Sequence, residues 1–144
     1  MKIAICGSMA FAEDMKLAKE VLEKKGHKVF TPEFMDAFIN IKELELRAKA
    51  SKRGSEGAKL KVEHDLIRKH WYKIKNSDAI LVLNHTKNGV RNYIGGNSFL
   101  EMGFAHILNK RIFLMNPIPS MPFIREEILA MEPTVLNGNL SKIK

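Results

Sequence analysis

Five short segments that read as strands, separated by segments of helical periodicity, constrain the fold of this chain more than any other feature of its sequence. They cover residues 2–6, 27–30, 79–83, 111–115 and 134–136. The run at 79–83 is apolar throughout, which is typical of a strand buried on both faces of a parallel sheet. Between the runs, apolar residues recur at helical spacing, as in 11–25, 98–109 and 123–131. This alternation predicts an α/β fold: a doubly wound, three-layer parallel sheet of about five strands, flavodoxin-like or Rossmann-like.

Length and composition set the class of protein. A chain of 144 residues with 45% hydrophobic residues predicts one globular domain spanning residues 1–144. A single cysteine excludes a disulfide scaffold and a cysteine-rich metal site, and it suits the reducing cytoplasm. The apolar runs are too short to span a membrane. We therefore expect a cytoplasmic protein that does not act at a membrane.

The net charge of +8 is concentrated in one segment. Residues 42–75 hold eleven Lys or Arg against five acids, a local balance of +6. Residues 34–75 are helical in composition with an expected break at 51–57, and a basic helical insert is predicted near 36–57. Only Trp71 and Tyr72 interleave aromatic rings with these charges, so a solvated helical face is favoured over nucleic-acid binding. A basic rim that attracts a phosphorylated small molecule stays open.

Ligands of doubly wound sheets bind outside the carboxyl ends of the strands. That rule selects residues 7–11, 31–34, 84–96 and 116–120. Glycines there allow close approach of the backbone, and hydroxyl or amide side chains suit a sugar or a base edge. The predicted substrate-binding residues are Gly7, Ser8, Phe11, Asn84, Gly95, Gly96, Asn97 and Ser98.

Glu101 is the candidate catalytic carboxylate beside that glycine-rich loop. Asn97 or Ser98 can cap the helix that follows, and the helix terminus should keep Glu101 ionised about one turn inside it. An ionised carboxylate there suits a nucleophile or a cation stabiliser. However, Ser98 and Glu101 also have the spacing of a capping box, and composition alone favours that role.

The segment 95–105 reads Gly-Gly-Asn-Ser-x-x-Glu-x-Gly-x-Ala and follows the strand at 79–83. It resembles the nucleoside 2-deoxyribosyltransferase family, which includes deoxynucleoside-monophosphate N-glycosidases. Two further features occur in the same order as in the family. They are the loop at 7–11, which follows the first strand, and Asp78, which precedes the third strand. The resemblance implies that Glu101 attacks the anomeric carbon and displaces the base, after which water or a second base captures the glycosyl-enzyme. It also implies a homodimer or larger assembly, in which residues 137–139 complete a neighbour's site.

Two positions depart from the family pattern. His70 stands where the family usually has an aspartate, and Gly95 stands where it has an acid or a serine. A different N-glycoside from the usual deoxynucleosides is therefore credible. His70 could protonate a leaving base or be a surface histidine, and His85, directly after the third strand, could do the same or be a loop residue. Cys6 is expected to be a small core residue.

The predicted function is cleavage or transfer at the N-glycosidic bond of a nucleoside or nucleotide. The catalytic candidates are Glu101, His85 and His70, and no organic cofactor is implied. No metal is predicted, because the histidine spacing shows no ligand pattern. Two alternatives stay open: a nucleotide-sensing domain without catalysis, and a nucleoside-monophosphate phosphoribohydrolase of the lysine-decarboxylase-like type.

Overall fold

A computed structural model describes residues 1–39 and 55–144, which contain a five-stranded sheet. Every neighbouring pair of strands is parallel, and the order is β2-β1-β3-β4-β5. This is the flavodoxin-like order, so the predicted fold class is confirmed. The strands are β1 (Lys2–Gly7), β2 (Lys28–Phe30), β3 (Ala79–Leu83), β4 (Arg111–Leu114) and β5 (Thr134–Val135).

The helices of the described residues connect these strands. They are α1 (Ala12–Lys24), α2 (Met35–Ile39), α3 (Ser55–Glu63), α4 (Leu66–Lys75), α5 (Gly96–Ile107) and α6 (Arg125–Ala130), with 3₁₀ turns at Met9–Phe11 and Leu140–Lys142. The prediction of a break at 51–57 is wrong for residues 55–57, because they belong to α3. Residues 51–54 lie outside the described residues. The chain instead changes direction between α3 and α4, where Asp65 adopts a left-handed φ of 49°. Most of the predicted insert at 36–57 also lies outside the described residues.

Two apolar layers cover the sheet, one on each face. Successive residues of a strand point to opposite faces, so Ile3 and Ile5 of β1 pack with α1 and α2. Ala4 and Cys6 of the same strand face the other layer, which contains residues of α4, α5 and α6. Helices α4 and α5 pack against each other and against β1. Cys6 is therefore directed toward the layer that carries the candidate catalytic helix.

Contacts at both ends of β1 hold it against β3. At the amino end, the Lys2 amide donates to Asp78 Oδ2 at 2.6 Å and the Asp78 amide donates to the Lys2 carbonyl at 2.8 Å. At the carboxyl end, a Cβ on Gly7 would lie 3.1 Å from the carbonyl oxygen of Leu83. Asp78 thus has a structural role at the amino end of β3. Gly7 allows the two strand ends to approach closely, because a side chain at this position would crowd the end of β3.

The carboxyl-terminal residues fold back onto their own domain. Leu136 and Ile143 are buried in the layer that contains α1. Between them the chain turns through Asn137 and Gly138, both with positive φ, and Asn139 Oδ1 accepts from the Ser141 amide. The contribution of 137–139 to a neighbour's site stays a prediction. Within the described ranges, no helix combines the length and apolar character needed to cross a bilayer.

Candidate active site

Three chemically reactive side chains from three elements meet near the carboxyl end of β1. Cys6 lies in β1, His70 in α4 and Glu101 in α5, and they are 0%, 5% and 6% exposed. Cys6 Sγ lies 3.5 Å from His70 Nε2, which lies 3.8 Å from Glu101 Oε1. We call these three residues the buried triad. Two of its members, Glu101 and His70, are predicted catalytic residues, and the structure brings them together.

Glu101 is oriented by the helix on which it lies. Helix α5 starts two residues earlier than expected, with Gly95 at its N-cap and no side-chain capping bond. Ser98 and Glu101 therefore do not form a capping box, and that interpretation is wrong. Instead Asn97 Nδ2 donates to Glu101 Oε1 at 2.9 Å, one helical turn away. Ser98 itself is buried.

Burial controls the protonation of the triad. It raises the pKa of Glu101 from 4.5 to about 8. A hydrogen bond with Cys6 and the positive charge of Lys61 on α3 lower this pKa, but their effects are smaller than that of burial. It lowers the pKa of His70 from 6.5 to about 4, helped by the charge of Lys73. Burial also raises the pKa of the Cys6 thiol well above its ordinary value. At neutral pH the triad is therefore mainly uncharged.

The expectation that the helix terminus keeps Glu101 ionised is wrong. Glu101 is the sixth residue of α5, and the influence of a helix dipole fades within the first turn. Desolvation of the carboxylate dominates there. Lys61 opposes this effect, which shows that the basic helix α3 lies within electrostatic range of the site.

His70 is not the surface histidine that its basic helix allowed. It is buried, and its Nδ1 atom makes no regular hydrogen bond among the described residues. Burial and the charge of Lys73 lower the pKa of the ring. The Ile5 carbonyl has a smaller effect that raises this pKa. Cys6, expected to be a plain core residue, is also a polar neighbour of this ring.

Asn84 joins the ends of β3 and β4 rather than facing a cleft. It is fully buried, its Nδ2 donates to the carbonyls of Asn116 and Pro117, and its Oδ1 accepts from the Asn116 amide. Its amide group is thus engaged within the protein, and the geometry does not support its predicted contact with substrate. Asn116 Nδ2 lies 3.1 Å from His85 Nδ1. Because an amide nitrogen can only donate, this contact places the proton of neutral His85 on Nε2.

The loop after β3 carries a cation that the sequence interpretation did not identify. Lys87 and Val90 exchange backbone hydrogen bonds across Asn88 and Gly89, whose φ values of 50° and 75° fit a type I′ turn. Lys87 Nζ donates to Ser8 Oγ at 2.8 Å, which joins this loop to the one after β1. The available signal was the position of Lys87 in the loop that follows a buried strand.

Tyr93 occupies the space beside Gly95. A Cβ on Gly95 would lie 3.1 Å from the Tyr93 hydroxyl oxygen, whereas a Cβ on Gly96 would meet no protein atom within 4 Å. Lys87 Nζ also lies 5.2 Å from the centre of the Tyr93 ring. The predicted binding residue Phe11 is buried, and its ring meets His85 edge-on at 5.2 Å. Phe11 therefore supports His85 from the core.

Together the fold and site define an α/β domain of flavodoxin-like order with a buried carboxyl group at the ligand-binding edge of its sheet. Neither a protein-family profile nor a curated protein matches the sequence. Among solved structures, the 2-deoxyribosyltransferase of the psychrotolerant bacterium Bacillus psychrosaccharolyticus superposes with a TM-score of 0.50 and 19% identity, covering 79% of this chain and 71% of that one. A CMP N-glycosidase of Clostridium botulinum gives a TM-score of 0.49 and 12% identity over 94% and 85% of the two chains. The first likeness confirms the fold expected from the sequence resemblance.

Proposed function

We propose that this protein cleaves, or transfers a glycosyl group at, the N-glycosidic bond of a nucleoside or nucleotide, with Glu101 as the nucleophile. The observation that carries the proposal is the placement of one buried carboxyl group, held by Asn97, at the ligand-binding edge of the sheet. An oxocarbenium-like transition state is stabilised by an adjacent carboxylate. The fold shared with a 2-deoxyribosyltransferase supports this chemistry as an analogy.

Glu101 must lose its proton before it attacks. With a pKa of about 8, Glu101 releases this proton to solvent in a fraction of molecules that grows as pH rises, because His70, 3.8 Å away with a pKa of about 4, is too weak a base to take it. A Glu101 oxygen then bonds to the anomeric carbon, while the bond to the base nitrogen breaks and its electron pair leaves with the base.

The leaving base needs a proton, which solvent water supplies, and we assign to His85 the hydrogen bond that stabilises the base as it leaves. The contact with Asn116 leaves the N–H of neutral His85 on Nε2, where it can donate a hydrogen bond to the base. Lys87 beside Ser8 adds a positive charge at the end of β1, which favours a phosphorylated substrate over an uncharged nucleoside. The Tyr93 hydroxyl beside Gly95 is the group we expect to hydrogen-bond the sugar.

The test is chromatographic detection of released base from nucleosides and nucleoside monophosphates, both ribo and deoxy, at pH 7 and pH 9. Half of the samples contain a second free base. Wild type should release base, and Glu101→Gln should lower the rate at least about 100-fold, since it removes the group that forms the covalent bond. Glu126→Gln changes an exposed glutamate of α6 and should match wild type. New nucleoside formed from the added base would identify a transferase.

A second candidate function is nucleotide binding without catalysis. The observation that favours it is the protonated state of Glu101 at neutral pH, because a neutral carboxyl can donate a hydrogen bond to a ligand. In that case no substrate releases base at either pH, while wild type and Glu101→Gln bind nucleotides with similar affinity. Absence of both base release and nucleotide binding would contradict both functions.

A further inference from the structure

We propose that Cys6, His70 and Glu101 form a binding site for one zinc ion. The candidate ligand atoms are Cys6 Sγ, His70 Nε2 and a carboxylate oxygen of Glu101, and they all lie within 4.8 Å of one another. This site shares Glu101 with the proposed glycosidic reaction, but that reaction itself needs no metal.

The donor set selects the metal. A thiolate, an imidazole and one carboxylate are ligands typical of Zn²⁺, whereas Mg²⁺ and Ca²⁺ prefer oxygen ligands alone. Three protein ligands also leave a fourth tetrahedral position for water or an anion.

The distances suit a tetrahedral ion. With Zn–S near 2.3 Å and Zn–N near 2.05 Å, sulfur and nitrogen ligands on one zinc lie about 3.6 Å apart. Cys6 Sγ and His70 Nε2 are 3.5 Å apart. His70 Nε2 and Glu101 Oε1, at 3.8 Å, must approach by only about 0.4 Å to reach the spacing of two zinc ligands.

The second ring nitrogen of His70 has the environment expected of a metal ligand. A ligating histidine usually donates its other N–H to a carbonyl or carboxylate, which fixes the tautomer. His70 Nδ1 is buried and makes no regular hydrogen bond among the described residues, and the nearby Ile5 carbonyl is an acceptor for its N–H. Such a bond would leave the Nε2 lone pair free for the metal.

Charge balance supports the same assignment. A thiolate, a carboxylate and a neutral imidazole carry two negative charges, which one Zn²⁺ neutralises. Binding releases the thiol and carboxyl protons to water, so the buried triad is uncharged with and without the metal. Glu101 cannot ligate zinc and attack a sugar at the same time. Zinc should therefore inhibit base release. Unlike zinc binding itself, this expectation rests on the proposed function.

Cobalt provides the direct test because it replaces zinc and absorbs light. Chelator-treated, reduced wild-type protein is titrated anaerobically with Co²⁺, then with Zn²⁺. We expect one Co²⁺ per chain, a thiolate-to-cobalt charge-transfer band, intense tetrahedral d–d bands, and loss of all bands when zinc is added. Binding without the charge-transfer band, or no binding, overturns the proposal without bearing on base release.

Variants locate the ligands. Cys6→Ala and His70→Gln should each weaken zinc binding at least about 100-fold, because loss of a residue that only supports a ligand already costs 10–100-fold. His106→Gln changes an exposed histidine of α5 and should bind like wild type. Circular dichroism verifies that each variant is folded. Should a variant fail to fold, the wild-type cobalt spectrum still decides the question. Folded Cys6→Ala that binds as tightly as wild type contradicts the proposal.

Discussion

At the scale of single residues, the protonation of Glu101 is the property with the largest consequence. The carboxyl group is 6% exposed, and its burial outweighs both the Cys6 hydrogen bond and the charge of Lys61. A carboxyl that is neutral at pH 7 is a weak nucleophile, so the proposed reaction should speed up as pH rises toward 8. The same burial links the stability of the fold to pH.

Glu101→Gln should remove a pH-dependent loss of stability. The pKa of Glu101 is about 8 in the folded protein and near 4.5 when the chain is unfolded, so the folded state keeps a proton that the unfolded state releases. Stability therefore falls as pH rises, until pH passes the folded pKa. Between pH 6.5 and 8 we expect metal-free wild type to lose about 2 kcal/mol, at 1.36 kcal/mol per unit.

Urea unfolding of both proteins at pH 6.5 and pH 8 measures this difference. Most of the contribution of His70, whose folded pKa is about 4 and ordinary value 6.5, lies below this window, and the remainder is the same in both proteins. That contribution has the opposite sign: stability rises between pH 4 and 6.5, because there the unfolded state binds the extra proton. Parallel losses in wild type and Glu101→Gln would show that Glu101 is not protonated in the folded state.

At the scale of secondary-structure elements, the basic segment acts through α3. This helix carries Lys59 and Lys61, but only Lys61 lowers the pKa of Glu101. The basic segment is thus more than a solvated helical face, because one of its lysines lowers the pKa of the buried carboxyl group. The loop after β3 similarly brings Lys87 to Ser8.

Lys61→Gln should move the pH profile of base release to higher pH. Loss of the positive charge raises the pKa of Glu101, so a smaller fraction is ionised at pH 7 and the rate there falls. Lys59→Gln, on the same helix, is the matched control and should keep the wild-type profile. Because Lys61 is exposed, the difference should shrink in high salt. Identical shifts in both variants would indicate an effect of net charge rather than of Lys61.

At the scale of the whole molecule, the site depends on how the strand ends are joined. Asn84 links β3 to the segment after β4, and Asn116 continues the link to His85. The loop after β3, which carries His85, and the segment after β4 are therefore held together by one buried amide. A fully buried amide with several partners contributes to folding as well as to orientation.

Asn84→Ala should lower the free energy of unfolding by about 3 kcal/mol, because it removes three hydrogen bonds made by a fully buried amide, each contributing about 1 kcal/mol. Denaturant unfolding measures the loss. Asn76→Ala, at the exposed end of α4, should change stability by less than about 0.5 kcal/mol. A small effect of Asn84→Ala would mean that the two loops are held together by other contacts.

Local sequence patterns determined the order of the elements and the position of the ligand-binding edge. Continuous apolar runs such as 79–83 can be read without knowledge of distant residues, and right-handed crossovers then leave few arrangements of a parallel sheet. Glu101 can be identified from the sequence in the same way, because its glycine-rich loop and helix are contiguous in the chain. The start of α5 was placed two residues late, since Gly95 caps it without the side-chain bond that a capping motif predicts.

Only the tertiary structure decided what surrounds Glu101. Cys6 and His70 are 64 residues apart, and they meet because β1 directs alternate side chains to opposite faces while α4 and α5 pack over one of them. Desolvation then reverses the ionisation expected for Glu101. Both the proximity of these residues and their burial arise from packing between distant segments, which no local pattern of residues records.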